Sequence, residues 1–503
     1  MSESKYKMVE LAFILFIIIL GFYYIYLAFN TQMLGEDEAS YFSLAKDFMK
    51  FEYKQDPYVV IPLVSLFYVP FFYLLGASLG LAKAVIAMFG ILTIIMIYLF
   101  CKKLDKTTFF GINIFGLASI SILLTISYFT HFMLISYTEI PIAFFSILFL
   151  YLLLDFNDMK KAVFLGFVIG LSFYMKTSAL IFPIVLFIFS AVKYFIKKDK
   201  RFFKLSLISC IIFAAFIIPF ALRNIILFNY PFIDGLNSFF AIPSNLIPAW
   251  NSAEITRALS LSVNLFDVFG YVALFLSIFG IVYAFESKNE KIFFATFMFL
   301  LFVLIFYVRN FFGAGISDPR YFSVVFPEIA LIGGYYIGKV VGIKKYLPII
   351  LIIFLVFAVY SSITIALSTE QSQRYPNDYI NALKWFKQNT NKNNVVFTAY
   401  GGSLSYYGER KNIWATSIDE FPELMHSTDS TYIYSTMKKY NVSYILVWRG
   451  VLSSDWIIPQ SNIIGVFTYN FVTQVDGDKQ HFNMTYSNTN SQGQTDNFIF
   501  KVL

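Results

Sequence analysis

Along the first 368 positions, apolar runs alternate with short polar connections, and most runs approach the roughly 20 residues that cross a bilayer as a helix. The run from Val9 to Phe29 is longer than the core of a cleavable signal peptide and reads as a retained signal anchor. Further spans are expected near 79–100, 109–129 and 140–154, then a short one ending at Lys176 and another ending at Lys193. After these come spans near 205–222, 265–285 and 293–308, one ending near Lys339, and a last one near 347–367, about eleven in all. The stretch 59–76 carries Pro62 and Pro70 and is read as a re-entrant or interfacial segment. Counting it as a span would turn Lys102, Lys103 and Lys106 outward.

Lys5 and Lys7 precede the first span, so the positive-inside rule sets the N-terminus in the cytoplasm. On that register the strongest basic connection, from Lys193 through Lys197, Lys198, Lys200, Arg201 and Lys204, also falls inside. The connection after Arg223 is long, lies outside, and contains Pro231, Pro243 and Pro248, a length that is uncommon unless the loop is functional.

After Ser368 the chain turns polar and takes on soluble-domain patterning. Helices are predicted over 378–388 and 431–440, with strands over 395–400, 442–448 and 465–475. The expected organisation is therefore a polytopic α-helical membrane module, 1–368, followed by an extracytoplasmic α/β domain, 369–503. Two glycosylation sequons, Asn441-Val442-Ser443 and Asn483-Met484-Thr485, lie in that domain, as an exterior location requires.

Composition agrees with a multi-pass cell-membrane protein. Hydrophobic residues make up 58% of the 503 and charged ones 14%, with a mean hydropathy of +0.67, which excludes a soluble globular chain. The net charge of +7 is spread in small groups between apolar runs, so it reports topology and does not point to nucleic acid. Cys101 and Cys210 both fall in apolar segments without a ligand partner at metal spacing, which implies neither a disulfide nor a zinc site.

The sharpest chemical feature is Glu36-Asp37-Glu38, three carboxylates directly after the first span. They are either solvated at a membrane edge and a helix N-terminus or engaged in chemistry. Glu139, Lys176, Arg223 and Arg320 also fall at predicted outer ends of spans. Carboxylates and cations gathered in one outward cavity suit a reaction in which a carboxylate removes a proton and basic groups stabilise an anionic leaving group. Glu328 lies inside a span and is expected to face the bundle in an ion pair, and His131 reads as structural.

The segment Asp37-Glu38-Ala39-Ser40-Tyr41 resembles the Asp-Glu motif in the first outer loop of the C-type (GT-C) membrane glycosyltransferases. Within that superfamily it is similar to the dolichyl-phosphate-mannose protein mannosyltransferases and the aminoarabinose transferases of lipid A. Further motifs resemble the family in the same order: Asp56-Pro57 with Pro62-Leu63 and Leu75-Gly76, Ala82-Lys83-Ala84, Ser136-Tyr137-Thr138-Glu139, and Gly170-Leu171 with Met175-Lys176-Thr177. Pro219 with Arg223-Asn224 and Arg320-Tyr321 with Pro327 complete the series. Two positions depart from the pattern, Gln55-Asp56-Pro57 where the family often has Lys or His, and Phe220 in place of Trp.

The resemblance implies inverting transfer of a sugar from a polyprenyl (dolichyl) phosphate donor to a protein, lipid or glycan acceptor outside the membrane. It implies Asp37 as base, with Glu38 and Glu139 as further catalytic acids, and Lys176, Arg223 and Arg320 on the donor phosphate. Glu36, Tyr41 and Lys83 are additional candidates. No cofactor is required by the pattern, and a divalent metal on the acidic group stays open. A transporter or flippase of a lipid-linked or anionic solute is the rival reading, and a membrane-anchored binding module a third. Transport sites lie near the bilayer midplane, whereas these charges sit at span ends.

Overall fold

The computed structural model describes residues 3–31, 36–51, 63–228, 265–287, 289–311, 319–341, 347–372, 377–399, 401–415, 418, 420–449, 452–453, 467–489 and 495–503. The chain forms two compact units, Met1–Thr31 with Gln55–Ser372, and Gln32–Lys54 with Gln373–Leu503.

In chain order the helices begin with α1 (Glu3–Asn30), α2 (Glu36–Met49), α3 (Leu63–Leu75), α4 (Leu79–Leu104), α5 (Ile114–Thr125), α6 (Ser127–Met133), α7 (Glu139–Leu153) and α8 (Met159–Met175). They continue with α9 (Ile181–Lys197), α10 (Lys200–Phe228), α11 (Leu265–Phe269), α12 (Tyr271–Ser287), α13 (Glu290–Phe311), α14 (Phe326–Val341) and α15 (Leu347–Ser372). All but α2 belong to the first unit. Among the described residues seven helices are long and apolar enough to cross a membrane, eight when α5 and α6, bent by 77°, count as one. Each predicted span falls on a helix of this unit, with α7, α8 and α12 supplying the short ones. The proline-bearing segment is the 13-residue α3, with Pro70 inside it.

The third span differs from an unbroken helix over 109–129. Asn113 accepts from the Gly116 amide and starts α5, and Ile126 is extended (φ −76°, ψ 102°). Just before that break the Thr125 hydroxyl donates to the Ile122 carbonyl at 2.7 Å, a side-chain bond of the kind that bends helices.

Small residues let three helices approach closely. A Cβ on Gly280 of α12 would lie 2.3 Å from the Ile332 carbonyl oxygen, and one on Gly334 of α14 would lie 2.1 Å from Ser119 Oγ of α5. Backbone contact at this range is the membrane solution to helix packing without a hydrophobic drive between helices. One end of the bundle is laced by ion pairs: Lys102 with Glu10 at 2.5 Å, Lys339 with Asp105 at 2.5 Å, Lys193 with Glu290 at 3.0 Å, and Lys103 with Asp155. These groups stand at the start of α1 and α13 and near the ends of α4, α7, α9 and α14, which alternating spans bring to one side.

Glu328 is fully buried, as expected of a charge inside a span, but the expected ion pair is not found among the described residues. Among the described residues its partner is the Ser146 hydroxyl, which donates to Oε1 at 2.5 Å. His131 Nδ1 meets the Thr369 hydroxyl at 3.0 Å, a structural contact.

The second unit is built on a five-stranded sheet in the order Lys411–Trp414, Val395–Thr398, Val442–Trp448, Thr495–Val502, Phe482–Thr489. The first three strands are parallel and the last two add antiparallel. Helix α16 (Asn377–Asn389) covers one face through Leu383 and Phe386. The other face packs under α17 (Ser430–Lys439) and α18 (Tyr469–Gly477) through Ile433, Met437, Phe471 and Val475. The predicted strand over 465–475 is instead a two-residue strand followed by α18, because Thr468 Oγ1 accepts from the Phe471 amide and caps a helix. The C-terminal hairpin was not legible from its polar, Asn-rich sequence.

Arg410 locks this unit from inside. Its guanidinium donates to the carbonyls of Phe386 (2.8 Å), Lys387 (3.0 Å) and Thr390 (2.6 Å), and so satisfies the last carbonyls of α16.

Candidate functional site

Three segments far apart in sequence meet at the end of the first unit opposite the ion-pair lacing. Glu139 opens α7, where a carboxylate complements the positive end of the helix dipole, and its side chain is 3% exposed. Lys176 stands at the break between α8 and a 3₁₀ turn, Thr177–Leu180, in extended conformation (φ −159°, ψ 134°). That break turns the side chain out of the helical ladder, and its ammonium donates to Glu139 Oε1 at 2.5 Å. Arg320 lies in the 3₁₀ turn Pro319–Val325 that leads into α14, with Nε 4.0 Å from the same oxygen.

Two aromatic rings complete the cluster. Tyr321 lies 4.8 Å from the Lys176 ammonium and 5.8 Å from the Arg320 guanidinium, and Tyr137 lies 5.7 Å from Arg320. Ring faces attract cations most where water is scarce. Behind them, the buried Tyr68 donates to the Ser136 carbonyl at 3.2 Å and ties α3 to the loop before Glu139. Among the described residues two cations stand on one carboxylate here, and a planar guanidinium beside an ammonium suits recognition of a phosphate-type anion. Sequence reasoning named Glu139, Lys176 and Arg320; Tyr137 and Tyr321 were within its motifs but not read as part of a site.

Lys83, near the start of α4, is completely buried. Arg223 lies on α10, but its side chain is outside the described residues, as is that of Glu36. Most of the long loop after Arg223 is also outside them.

In the second unit, α2 carries the acidic motif in its first turn, a favourable end for carboxylates. Helical spacing separates its members: Glu38, Phe42 and Lys46 share one face, while Asp37 shares another with Tyr41. The first face is the buried one. Glu38 and Phe42 are 0% and 1% exposed, Phe42 meets Tyr406 edge-on at 4.8 Å, and the Lys46 ammonium lies 5.4 Å from the Tyr406 ring. Burial, then the neighbouring Tyr406 and Glu38, push the Tyr407 phenol up to about 12. Asp37 and Tyr41 are half-buried.

Among the described residues no three His, Cys, Asp or Glu side chains group as metal ligands. Glu139, already claimed by two cations, does not fit a cation site.

A polytopic helical unit carrying a cationic cluster at its helix ends, together with a sheet domain, has the architecture of the C-type membrane glycosyltransferase fold. Solved structures bear this out. The chain superimposes on the oligosaccharyltransferase of Archaeoglobus fulgidus, in complex with Zn and sulfate, with a TM-score of 0.64 at 14% identity, covering 96% of this chain and 72% of that one. ArnT from Cupriavidus metallidurans bound to undecaprenyl phosphate gives 0.61 at 11% identity, covering 99% and 98%. The arabinofuranosyltransferase AftD from Mycobacteria gives 0.51 at 11% identity, covering 97% of this chain and 40% of that one. No family model and no curated protein matches the sequence.

Proposed function

We propose that the protein is a membrane glycosyltransferase that moves a sugar from a polyprenyl-phosphate donor to an acceptor on the outer face of the membrane, with inversion. The observation that carries this reading is the Lys176–Glu139–Arg320 cluster on a C-type glycosyltransferase fold. In the reaction the acceptor's nucleophile attacks the anomeric carbon, the bond from that carbon to the phosphate oxygen breaks, and polyprenyl phosphate leaves with the added negative charge. Lys176, Arg320 and Arg223 hold that charge, and such fixed cations act most strongly in a dry site. Glu139 orients Lys176 and Arg320. Asp37 takes the acceptor's proton, and its place just after the first span favours it over Glu38, whose face of α2 is buried.

The N-terminus is cytoplasmic in this reading and the second unit exterior. The exposed Asn441 and Asn483 of the sequons accord with that side. The donor and acceptor classes are supported by solved relatives in the same fold, the C. metallidurans protein with undecaprenyl phosphate and the A. fulgidus enzyme with an inhibitory peptide and a dolichol-phosphate. The sugar is a hexose or pentose.

The test is a transfer assay with purified protein, a panel of polyprenyl-phosphate sugars, and peptide, lipid and glycan acceptors. Transfer is expected for wild type and a loss of at least about 100-fold for Asp37→Asn. Undiminished turnover in the variant removes Asp37 from catalysis. Lipid translocation across liposomes without any transfer supports the flippase reading instead.

A further inference from the structure

We infer that the first unit carries a second ligand site, for an anionic phospholipid, at the end of the bundle away from Glu139. A shallow, open cleft lies there among the ends of α4, α7, α9, α10 and α13. Its floor is apolar, made by Phe100, Leu150, Phe189 and Phe294, and its polar lining comes from Lys193, Lys291 and Glu290. Leu150 stands 11 residues along α7 from Glu139, so the pocket is about 16 Å from the candidate transfer site.

The charge balance at the mouth is positive. Lys193 contacts Glu290 at 3.0 Å and Asp199 at 3.5 Å, and Lys197 draws on the same Glu290 carboxylate. Lys291 donates to the Leu153 carbonyl at 2.8 Å, and the Arg201 guanidinium to the Asn157 carbonyl. Lys193 and Lys197 share Glu290 and Asp199, Lys291 and Arg201 rest on neutral oxygens, and the Lys103–Asp155 pair also faces Lys291, so among the described residues five cations stand against three carboxylates. The Lys193 ammonium also lies 4.4 Å from the Phe202 ring, which holds it at the pocket rim.

The apolar surroundings favour a lipid over a soluble anion. Val192, Phe195 and Ile196 flank Lys193 and Lys197 on α9 and are exposed, as lipid-facing side chains are. The lysine heads therefore sit where the acyl region meets the head groups. A basic pocket between membrane helices with an aromatic floor matches a phosphate-bearing head group with the start of its chains beneath it. The occupant is a phosphatidylglycerol-type lipid of the leaflet on this side, and its binding draws together five helix ends.

The experiment is native mass spectrometry of the full chain released from bilayers of equal phosphatidylglycerol and phosphatidylcholine, with photo-crosslinking by a diazirine phosphatidylglycerol. Wild type is expected to retain the anionic lipid preferentially and to crosslink within α9 or α13 near Phe189 and Phe294. Lys193→Gln/Lys291→Gln should lower the preference by roughly fivefold per lysine, and Leu150→Trp, which fills the pocket and keeps every charge, should lower it too. Lys387→Gln, an exposed change in the second unit, should leave it intact. Unaltered preference in both pocket variants overturns the proposal, as does crosslinking confined to other helices. Equal competition by soluble glycerol phosphate overturns the lipid assignment. Should the variants fail to fold, the crosslink position in wild type still decides.

Discussion

Lys176 and Glu139 meet at 2.5 Å across 37 residues of sequence, and both are nearly buried, with side chains 11% and 3% exposed. Removing one partner leaves the other buried charge less well compensated, Glu139 keeping the more distant Arg320 at 4.0 Å, and breaking a buried pair costs up to about 3–5 kcal/mol. Lys176→Met is therefore expected to lower the unfolding temperature in detergent and to cut transfer by about 100-fold. The double variant Glu139→Gln/Lys176→Met should recover much of the stability and none of the transfer. If transfer recovers with stability, the pair is structural only.

Tyr321 faces both cations, and its ring rather than its hydroxyl makes those contacts. Tyr321→Phe should keep transfer within about threefold, while Tyr321→Ala should lose about tenfold, in line with roughly 1–2 kcal/mol for a shielded cation–ring contact. Steady-state kinetics against donor concentration would locate the loss in KM for the lipid phosphate. A Phe variant as impaired as Ala would assign the effect to the hydroxyl.

Arg410 is 5% exposed and donates to several backbone carbonyls at the end of α16. Arg410→Ala strands those acceptors, and Arg410→Lys loses the planar fork. A destabilisation of about 3 kcal/mol is expected for Ala, with partial retention for Lys. Trp385 and Trp448 lie in this unit, so denaturation followed by tryptophan fluorescence reads the change.

Acid should weaken the second unit. Hydrogen bonds from Lys439 and Tyr440 hold the exposed Glu420 at about 2. One from Lys387 lowers Glu409, and one from His481 lowers Asp478. Carboxylates depressed by folding add stability that is fully present above the ordinary range near 4 and is lost as pH falls through the folded values. Thermal unfolding is thus expected to be steady from roughly pH 7 to 5 and to drop between roughly pH 4 and 2. Gln at all three positions should flatten that drop; an unchanged drop would assign it to other groups.

Much of this was readable from the chain alone. A run of apolar residues has few options in a bilayer, since each backbone polar group must bond within its own helix, so the apolar helices could be placed along the chain, although among the described residues seven or eight, not eleven, are long and apolar enough to cross. The same holds for the regular helices of the second unit, where Asn377–Asn389 and Ser430–Lys439 fall within a residue of expectation. Local pattern failed at Tyr469–Gly477, where a single threonine cap outweighed a strand-like composition, and at Ile126, where the break in a continuous apolar run depends on one extended residue.

The sequence by itself determined the membrane class, the helical bundle and the identity of the charged candidates, because those follow from composition and period. Tertiary structure decided which candidates act together. It joined Glu139, Lys176 and Arg320 through two helix breaks, added Tyr137 and Tyr321, and among the described residues gave Glu328 a serine partner where an ion pair was expected. It also turned Glu38 onto the buried face of α2 and left Asp37 on another, a distinction that three adjacent carboxylates do not reveal. Such pairings depend on the orientation of side chains across helices distant in sequence, which packing alone sets.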